Sequence, residues 1–195
     1  MSSRESRTRW IATDGGPLIV LPVAKQMAWR GSFVEGEDGD FVVDTPGGKY
    51  AFRTDYDFEN PRTDYERACA VAGLAGALVV DGSMALVLGD EPLQTTWLAL
   101  PTGGMFAAFH TVEPGADIDA ELSTLAGAAA DWQDAGLALL GGEYVLMDAV
   151  DHGAVPERDP FPVTLEPGAY EVASASVETG LVSWRCVRLA RAQLV

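Results

Sequence analysis

The sequence predicts an α+β protein that is β-dominated, with antiparallel sheets built from successive hairpins. Short apolar runs alternate with turns rich in glycine and proline, a pattern typical of β-hairpins. Only one stretch repeats apolar residues at helical spacing. With 195 residues, of which 48% are hydrophobic and 22% charged, the chain is long enough to bury a sizeable core.

The strands are predicted from apolar runs bounded by turn residues. A first strand, 18–21, follows Gly15-Gly16-Pro17. Three hairpins are then predicted around the turns Pro46-Gly47-Gly48, Asp81-Gly82-Ser83 and 101–104. The runs that flank these turns are 41–43 with 49–53, 77–80 with 84–88, and 95–100 with 105–111. Later strands are predicted at 144–147, 162–165, 170–175 and 181–189.

One main helix is predicted at about 117–132. Pro114-Gly115 ends the preceding strand, and Asp117 or Asp119 can cap the helix. Apolar residues recur every three or four positions, at Ile118, Leu122, Leu125, Ala129 and Trp132. Gly136 ends the pattern, and the acids at the start suit the positive end of the helix dipole.

A weak internal repeat suggests a pseudo-duplicated, two-lobe arrangement. Three block pairs occur in the same order, namely 16–21 with 142–147, 41–52 with 161–172, and 65–71 with 182–188. The repeat would make Cys69 and Cys186 equivalent core positions. We expect a flexible tail at 1–9 and a single domain at 10–195. Within that domain, two β-rich halves, about 10–112 and 140–195, would be joined by the helix.

The net charge of −16 and the pI of about 4.3 limit the classes of partner. Such a surface repels nucleic acids and anionic membranes and favours cationic proteins. The alternative is that the acidity only keeps the protein soluble. The start of the chain has no apolar signal segment, and no apolar run is long enough to span a membrane, so a cytoplasmic location is expected.

No lysine or arginine occurs between Arg67 and Arg158, so every charged side chain in that stretch is a carboxylate. Because hairpins and the predicted helix lie there, these charges are expected to be held in place, and we predict that this region faces a cationic partner. The predicted contact residues are Asp90, Glu91, Glu113, Asp117, Asp119, Glu121, Asp131 and Asp134. Trp29 lies among polar residues and is a candidate exposed interface anchor.

The residue pattern contains no catalytic motif, and we predict no catalytic residue, metal or cofactor. His110 and His152 have no second histidine or cysteine at metal-ligand spacing. Ser83 belongs to a hairpin turn, and Cys69 lies in an apolar run. The two cysteines are expected to be reduced core thiols. The run from Glu35 to residue 40 lacks the oxygen spacing of a calcium loop.

Several blocks resemble the immunity protein 21 family of bacterial polymorphic toxin systems. They are Trp10-Ile-Ala-Thr-Asp-Gly-Gly-Pro-Leu-Ile-Val-Leu-Pro22, Trp29-Arg-Gly31, Asp64-Tyr-Glu-Arg-Ala-Cys-Ala-Val71, Ala85-Leu-Val-Leu-Gly-Asp-Glu-Pro92 and Thr95-Thr96-Trp97-Leu98. The resemblance implies a cytoplasmic, non-enzymatic antidote that binds and neutralises a cognate toxin. It implies no particular contact residues, and it leaves the toxin's activity and the oligomeric state open.

Two other hypotheses come from different functional classes. A small-ligand-binding β domain would have a closed apolar cleft with convergent polar groups. An acidic hydrolase would have two carboxylates facing one cleft, at least one of them with a raised pKa.

Overall fold

The computed structural model describes residues 8–13, 15–39, 41–89 and 94–192. Residues 1–7 of the predicted tail and the predicted contact pair Asp90 and Glu91 lie outside the described residues. The fold is β-dominated, with 51% strand and 11% helix, and all its strand pairs are antiparallel. The predicted fold class is therefore confirmed.

Eleven strands form two sheets among the described residues. The eight-stranded sheet contains β1 (Leu18–Pro22), β5 (Ala75–Val80), β6 (Ser83–Leu88), β7 (Thr95–Leu100), β8 (Gly103–Val112), β9 (Gln133–Asp148), β10 (Phe161–Thr179) and β11 (Val182–Arg191). The three-stranded sheet contains β2 (Phe33–Glu35), β3 (Val42–Thr45) and β4 (Gly48–Phe52). The helices are α1 (Asp64–Cys69), α2 (Ile118–Leu125) and a 3-10 helix (Val23–Ala28).

The three predicted hairpins are confirmed as β3–β4, β5–β6 and β7–β8. The β5–β6 turn shows why local sequence predicts them well. Asp81 and Gly82 both have positive φ, 45° and 75°. A two-residue hairpin turn that matches the strand twist requires this conformation at both positions, and Asp-Gly is among the residue pairs that adopt it most readily.

The later strands are longer than predicted. Residues 162–165 and 170–175, predicted as two strands, belong to the single strand β10. Pro167-Gly168 lies at a shift in the pairing register between Leu165 and Ala169. The dipeptide therefore marks a bulge and not a chain reversal, because a bulge also tolerates proline and glycine.

The large sheet has the strand order β5-β6-β1-β9-β10-β11-β8-β7. From the central pair β9–β10, each side continues with one strand and then an outer hairpin. A small cavity of about 30 Å³ is lined by Leu18 and Leu88 from one side and by Phe106 and Val187 from the other. The sheet therefore curls until side chains from its two ends share one core. The predicted division of the sequence into halves stays a prediction.

The opposite face of the sheet carries two further core clusters. One contains Ile19, Val87 and Met147 and is covered by Tyr65 and Ala68 of α1. The other is covered by Leu122 and Leu125 of α2, which pack on a group of side chains from β8, β10 and β11. That group consists of Met105, Ala107, Ala175, Val177, Val182, Trp184 and Cys186.

The predicted helix at 117–132 is correct in position but too long, since α2 ends at Leu125. Asp117 is the N-cap, and its side chain accepts a hydrogen bond from the Ala120 amide. After Leu125, i→i+3 bonds from Gly127 to Thr124 and from Ala128 to Leu125 close the last turn. Apolar residues continue beyond the helix because Ala128, Ala130 and Trp132 pack on the same core as an extended segment.

The helix α1 was not predicted, and it overturns the equivalence of the repeated blocks. Block 65–71 lies mostly in α1, whereas 182–188 is a strand. Likewise 41–52 forms a hairpin of the small sheet, but 161–172 lies in one strand of the large sheet. Cys69 and Cys186 are both free thiols, as predicted, but only Cys186 is fully buried. The blocks share apolar spacing because both structures bury apolar side chains.

Candidate functional site

Four of the predicted contact residues lie close to one turn of the large sheet. The Glu113 amide donates to the Leu181 carbonyl, and the Glu121 carboxylate accepts from the Leu181 amide, so both meet the β10–β11 turn. Asp117 and Asp119 lie at the start of α2. We call Glu113, Asp117, Asp119 and Glu121 the acidic helix patch. Among the described residues, no lysine or arginine forms an ion pair with these carboxylates.

Asp131 and Asp134 do not join the acidic helix patch. They lie where the chain enters β9, and the Asp134 carboxylate accepts from the Gly136 amide. Asp134 pairs with Ala173 of β10, while the β10–β11 turn begins after Thr179. At about 3.3 Å per strand residue, that separation is roughly 20 Å. The acidic contact surface predicted from the sequence is therefore divided between two places.

The prediction that Trp29 is an exposed anchor is wrong, because the side chain is fully buried. Its indole N–H donates to the Ala149 carbonyl at 3.0 Å, and it packs in the core cluster that α1 covers. The exposed position was predicted from the polar residues around Trp29 in the sequence, but these do not determine its environment in the fold. Ser32 is also buried, and of the two residues next to Trp29, Ala28 is half-buried and only Arg30 is exposed.

A larger surface feature forms between the small sheet and the loop that follows β9. This aromatic cleft has a volume of about 830 Å³. One wall is formed by side chains from the small sheet and from the residues leading into α1, and the other by the loop after β9. The lining residues are Gly15, Phe33, Phe41, Val43, Phe52, Tyr56, Tyr65, Asp148, Val150, Asp151, Val155 and Glu157.

Backbone contacts fix the small sheet against this loop. The Ser32 amide donates to the Val150 carbonyl, and the Gly153 amide donates to the Trp29 carbonyl, both at 2.9 Å. Gly31 has a φ of 58°, and a Cβ there would overlap the carbonyl oxygens of Val150 and Asp151. Only glycine meets both the conformation and the close approach. The two walls of the aromatic cleft are therefore held in a fixed relation.

His152 supports the cleft from behind and is not among its lining residues. The ring is 3% exposed and packs against Phe33 and Tyr50, with centroids 5.7 and 4.9 Å away. Its Nδ1 accepts a hydrogen bond from the Ala154 amide. Burial lowers the pKa of His152, so the neutral ring is favoured. We assign it a packing role, while His110 lies exposed on β8.

Buried carboxylates form the polar side of the aromatic cleft. Asp151 is 8% exposed, and its Oδ2 accepts from the Glu157 amide at 3.2 Å. Burial, followed by the charge of Asp148, raises the pKa of Asp151 to about 6. Asp148 is also buried, and its Oδ1 accepts from the Val150 amide. The charged form of Asp151 is therefore less favoured than that of an exposed aspartate, and a cation beside it would stabilise the charged form.

Sequence reasoning missed the aromatic cleft, although some of its signals were present. Phe33, Phe41 and Phe52 are concentrated in and beside one predicted hairpin, and Asp148 and Asp151 flank two apolar residues. Neither group alone indicates a binding site. The structure brings them together across a long stretch of sequence.

The fold and these surfaces define an acidic, β-dominated protein with an open cleft and an exposed carboxylate patch. No helix among the described residues is long and apolar enough to cross a membrane. The model of the family described as Immunity protein 21 matches residues 9–182, and the chain belongs to that family. This confirms the resemblance seen in the sequence and implies an immunity protein of a toxin system. No curated protein and no solved structure shows a significant match to the chain.

Proposed function

We propose that this protein binds and neutralises a cognate toxin of a polymorphic toxin system, in the cytoplasm of the bacterium that makes it. The observation that carries the proposal is the family match over residues 9–182. Protection would come from occupying the toxin's surface, without catalysis, metal or cofactor. The partner is a protein, and neither nucleic acid nor membrane is involved.

The charge of the molecule supports a cationic partner surface. The net charge is −16, and the acidic helix patch presents carboxylates that no described lysine or arginine pairs with. Fields of this kind accelerate the encounter of oppositely charged proteins. In a nuclease toxin, the carboxylates would stand in for the phosphates of the substrate. We also propose Asp131 and Asp134 as contact residues, together with Asp90 and Glu91, which are proposed from the sequence alone.

Co-expression with the toxin domain encoded beside this gene tests the proposal. The wild-type protein should restore growth, and the purified pair should form a complex whose association rate falls as salt is added. Continued killing together with no complex would contradict the proposed function. An association rate insensitive to salt would remove only its electrostatic part.

The aromatic cleft also favours a second candidate, because two carboxylates line it and the pKa of Asp151 is raised to about 6. An acidic hydrolase is expected to have such a pair of carboxylates facing one cleft. However, Asp148 and Asp151 each accept a hydrogen bond from a backbone amide of their own loop, which gives them a structural role. The required amount of protein separates the two candidates. Neutralisation by binding needs one immunity protein for each toxin, whereas an enzyme would inactivate an excess of toxin.

A further inference from the structure

The aromatic cleft combines an apolar rim with a rigid interior. Phe41 is 60% exposed and Val155 is 42% exposed, so large apolar side chains face solvent at its entrance. Inside, Phe33 contacts Phe41 and Phe52 edge-to-face, with centroids 6.5 and 5.1 Å apart. Exposed apolar side chains beside an ordered pocket are typical of surfaces that receive a partner's side chains.

The charges of the aromatic cleft select a cationic occupant. Its described lining includes Asp148, Asp151 and Glu157 and contains neither lysine nor arginine. No hydrogen bond from a described residue reaches Oδ1 of Asp151, whose side chain is almost entirely buried. A cation placed there would pair with a carboxylate that the fold has already removed from most of its water, and such pairs are stronger than exposed ones.

We propose that the aromatic cleft receives a lysine or arginine side chain from the cognate toxin. The apolar stem of that side chain would pack on Phe41 and Phe52, and its charged end would meet Asp151. Lysine and arginine suit such a site because both carry a long apolar stem below the charge. The inference rests on the proposed function and names the anchor of that complex.

Two other occupants fit the aromatic cleft less well. A second copy of this chain would also carry a net charge of −16, so two copies repel each other at long range. A small organic cation would leave much of the roughly 830 Å³ volume and the exposed rim in contact with water. A protein segment that inserts one basic side chain and covers Phe41 and Val155 would fill the interior of the cleft and also bury its apolar rim.

Binding kinetics with the toxin domain encoded beside this gene provide the test. Phe41→Ala removes an exposed ring, and Asp151→Asn removes the buried charge with little change of shape. The matched controls are Val79→Ala, which truncates an apolar side chain 61% exposed on the edge strand β5, and Glu171→Gln, which removes an exposed charge from β10. Melting temperatures of all variants verify that each is folded.

We expect Phe41→Ala to weaken the complex by about 30-fold, because the toxin side chain would bury this exposed ring on binding. Asp151→Asn should weaken it by about 10-fold, mainly through faster dissociation, because a desolvated pair controls the lifetime of a complex. Val79→Ala and Glu171→Gln should change the dissociation rate by less than about 3-fold, because both residues lie outside the cleft and outside the proposed contact residues.

The binding measurements distinguish failure of this inference from failure of the proposed function. Tight binding by both folded cleft variants would overturn the inference and leave the proposed function intact. Loss of binding in Phe41→Ala accompanied by a change in oligomeric state would show that a second copy occupies the cleft, which also overturns the inference. A wild-type protein that neither binds the toxin nor protects against it would overturn both proposals.

Discussion

The acidic helix patch and the aromatic cleft both present carboxylates, but they hold them differently. Asp119 is exposed at the start of α2, whereas Asp151 is buried beside aromatic side chains. Exposed charges act at a distance and are screened by salt, while a buried charge acts only on a group that reaches it. We therefore expect the patch to influence how fast a complex forms and the cleft to influence how long it lasts.

The largest expected effect comes from breaking the contact that fixes the two walls of the cleft. Gly31→Ala should destabilise the fold by about 3 kcal/mol, because left-handed backbone strain and overlap with Val150 and Asp151 add together. Gly73→Ala is the control, since Gly73 has a φ of 83° but no atom near its Cβ position. Its cost should be about 1 kcal/mol. Equal losses in urea unfolding would show that the close approach at Gly31 is not needed.

The next effect concerns Glu66 of α1, which supports the same cleft wall through the residues around Tyr56. Glu66 is 1% exposed and accepts hydrogen bonds from the amides of Asp57, Arg62 and Thr63. Burial opposes its charge, but these bonds outweigh burial and lower its pKa.

Glu66→Ala should therefore lower the free energy of unfolding by about 2 kcal/mol, because three backbone amides, one of them buried, would lose their acceptor. Asp117→Ala removes the α2 cap beside the acidic helix patch and should cost only about 1 kcal/mol. The two losses can be compared by chemical denaturation at neutral pH. A larger loss of unfolding free energy for Asp117→Ala than for Glu66→Ala would mean that the α2 cap contributes more to stability than the support of the cleft wall.

These two carboxylates also show what the sequence could and could not predict. The three hairpins and the cap at Asp117 were predictable because turn residues and caps act within a few positions of the chain. The α1 helix had a visible signal as well, since Thr63 and Glu66 have capping-box spacing. That signal was missed because the apolar run after it also fitted a strand.

The aromatic cleft could not be predicted in the same way. It requires Phe41 to meet Asp151, and no local rule relates residues so far apart in sequence. The burial of Trp29 has the same origin, because its environment comes from Ile19, Val145 and Met147 and not from its polar neighbours. The sequence shows where carboxylates are concentrated, but it does not show which of them are exposed and which are buried.

A pH titration can sharpen this distinction between buried and exposed carboxylates. The pKa of Asp151 is about 6 in the folded protein, above the value of about 4 for an unfolded aspartate. The folded state therefore binds more protons between these values, so this residue's contribution to stability is present at low pH and is lost as pH rises through 6. Lowering the pH from 7 to 5 should stabilise the wild type by about 1 kcal/mol relative to Asp151→Asn.

The measurement is urea unfolding of both proteins at the two pH values. Other carboxylates titrate in both proteins, so the difference between them isolates Asp151. A difference that is independent of pH would show that Asp151 is solvated, and the contrast between the cleft and the acidic helix patch would disappear.

The smallest expected effect comes from the acidic helix patch itself. Glu113→Gln combined with Asp119→Asn removes two exposed charges and leaves the Asp117 cap and the Glu121 hydrogen bond in place. At low salt this double variant should slow association with the toxin by roughly 3-fold and leave dissociation unchanged, because exposed charges mainly steer the encounter. The control is Glu143→Gln with Glu171→Gln, which removes the same charge from exposed positions on β9 and β10. If the control slows association equally, steering depends on the total charge and not on the patch, and the cleft alone would then define where the toxin sits.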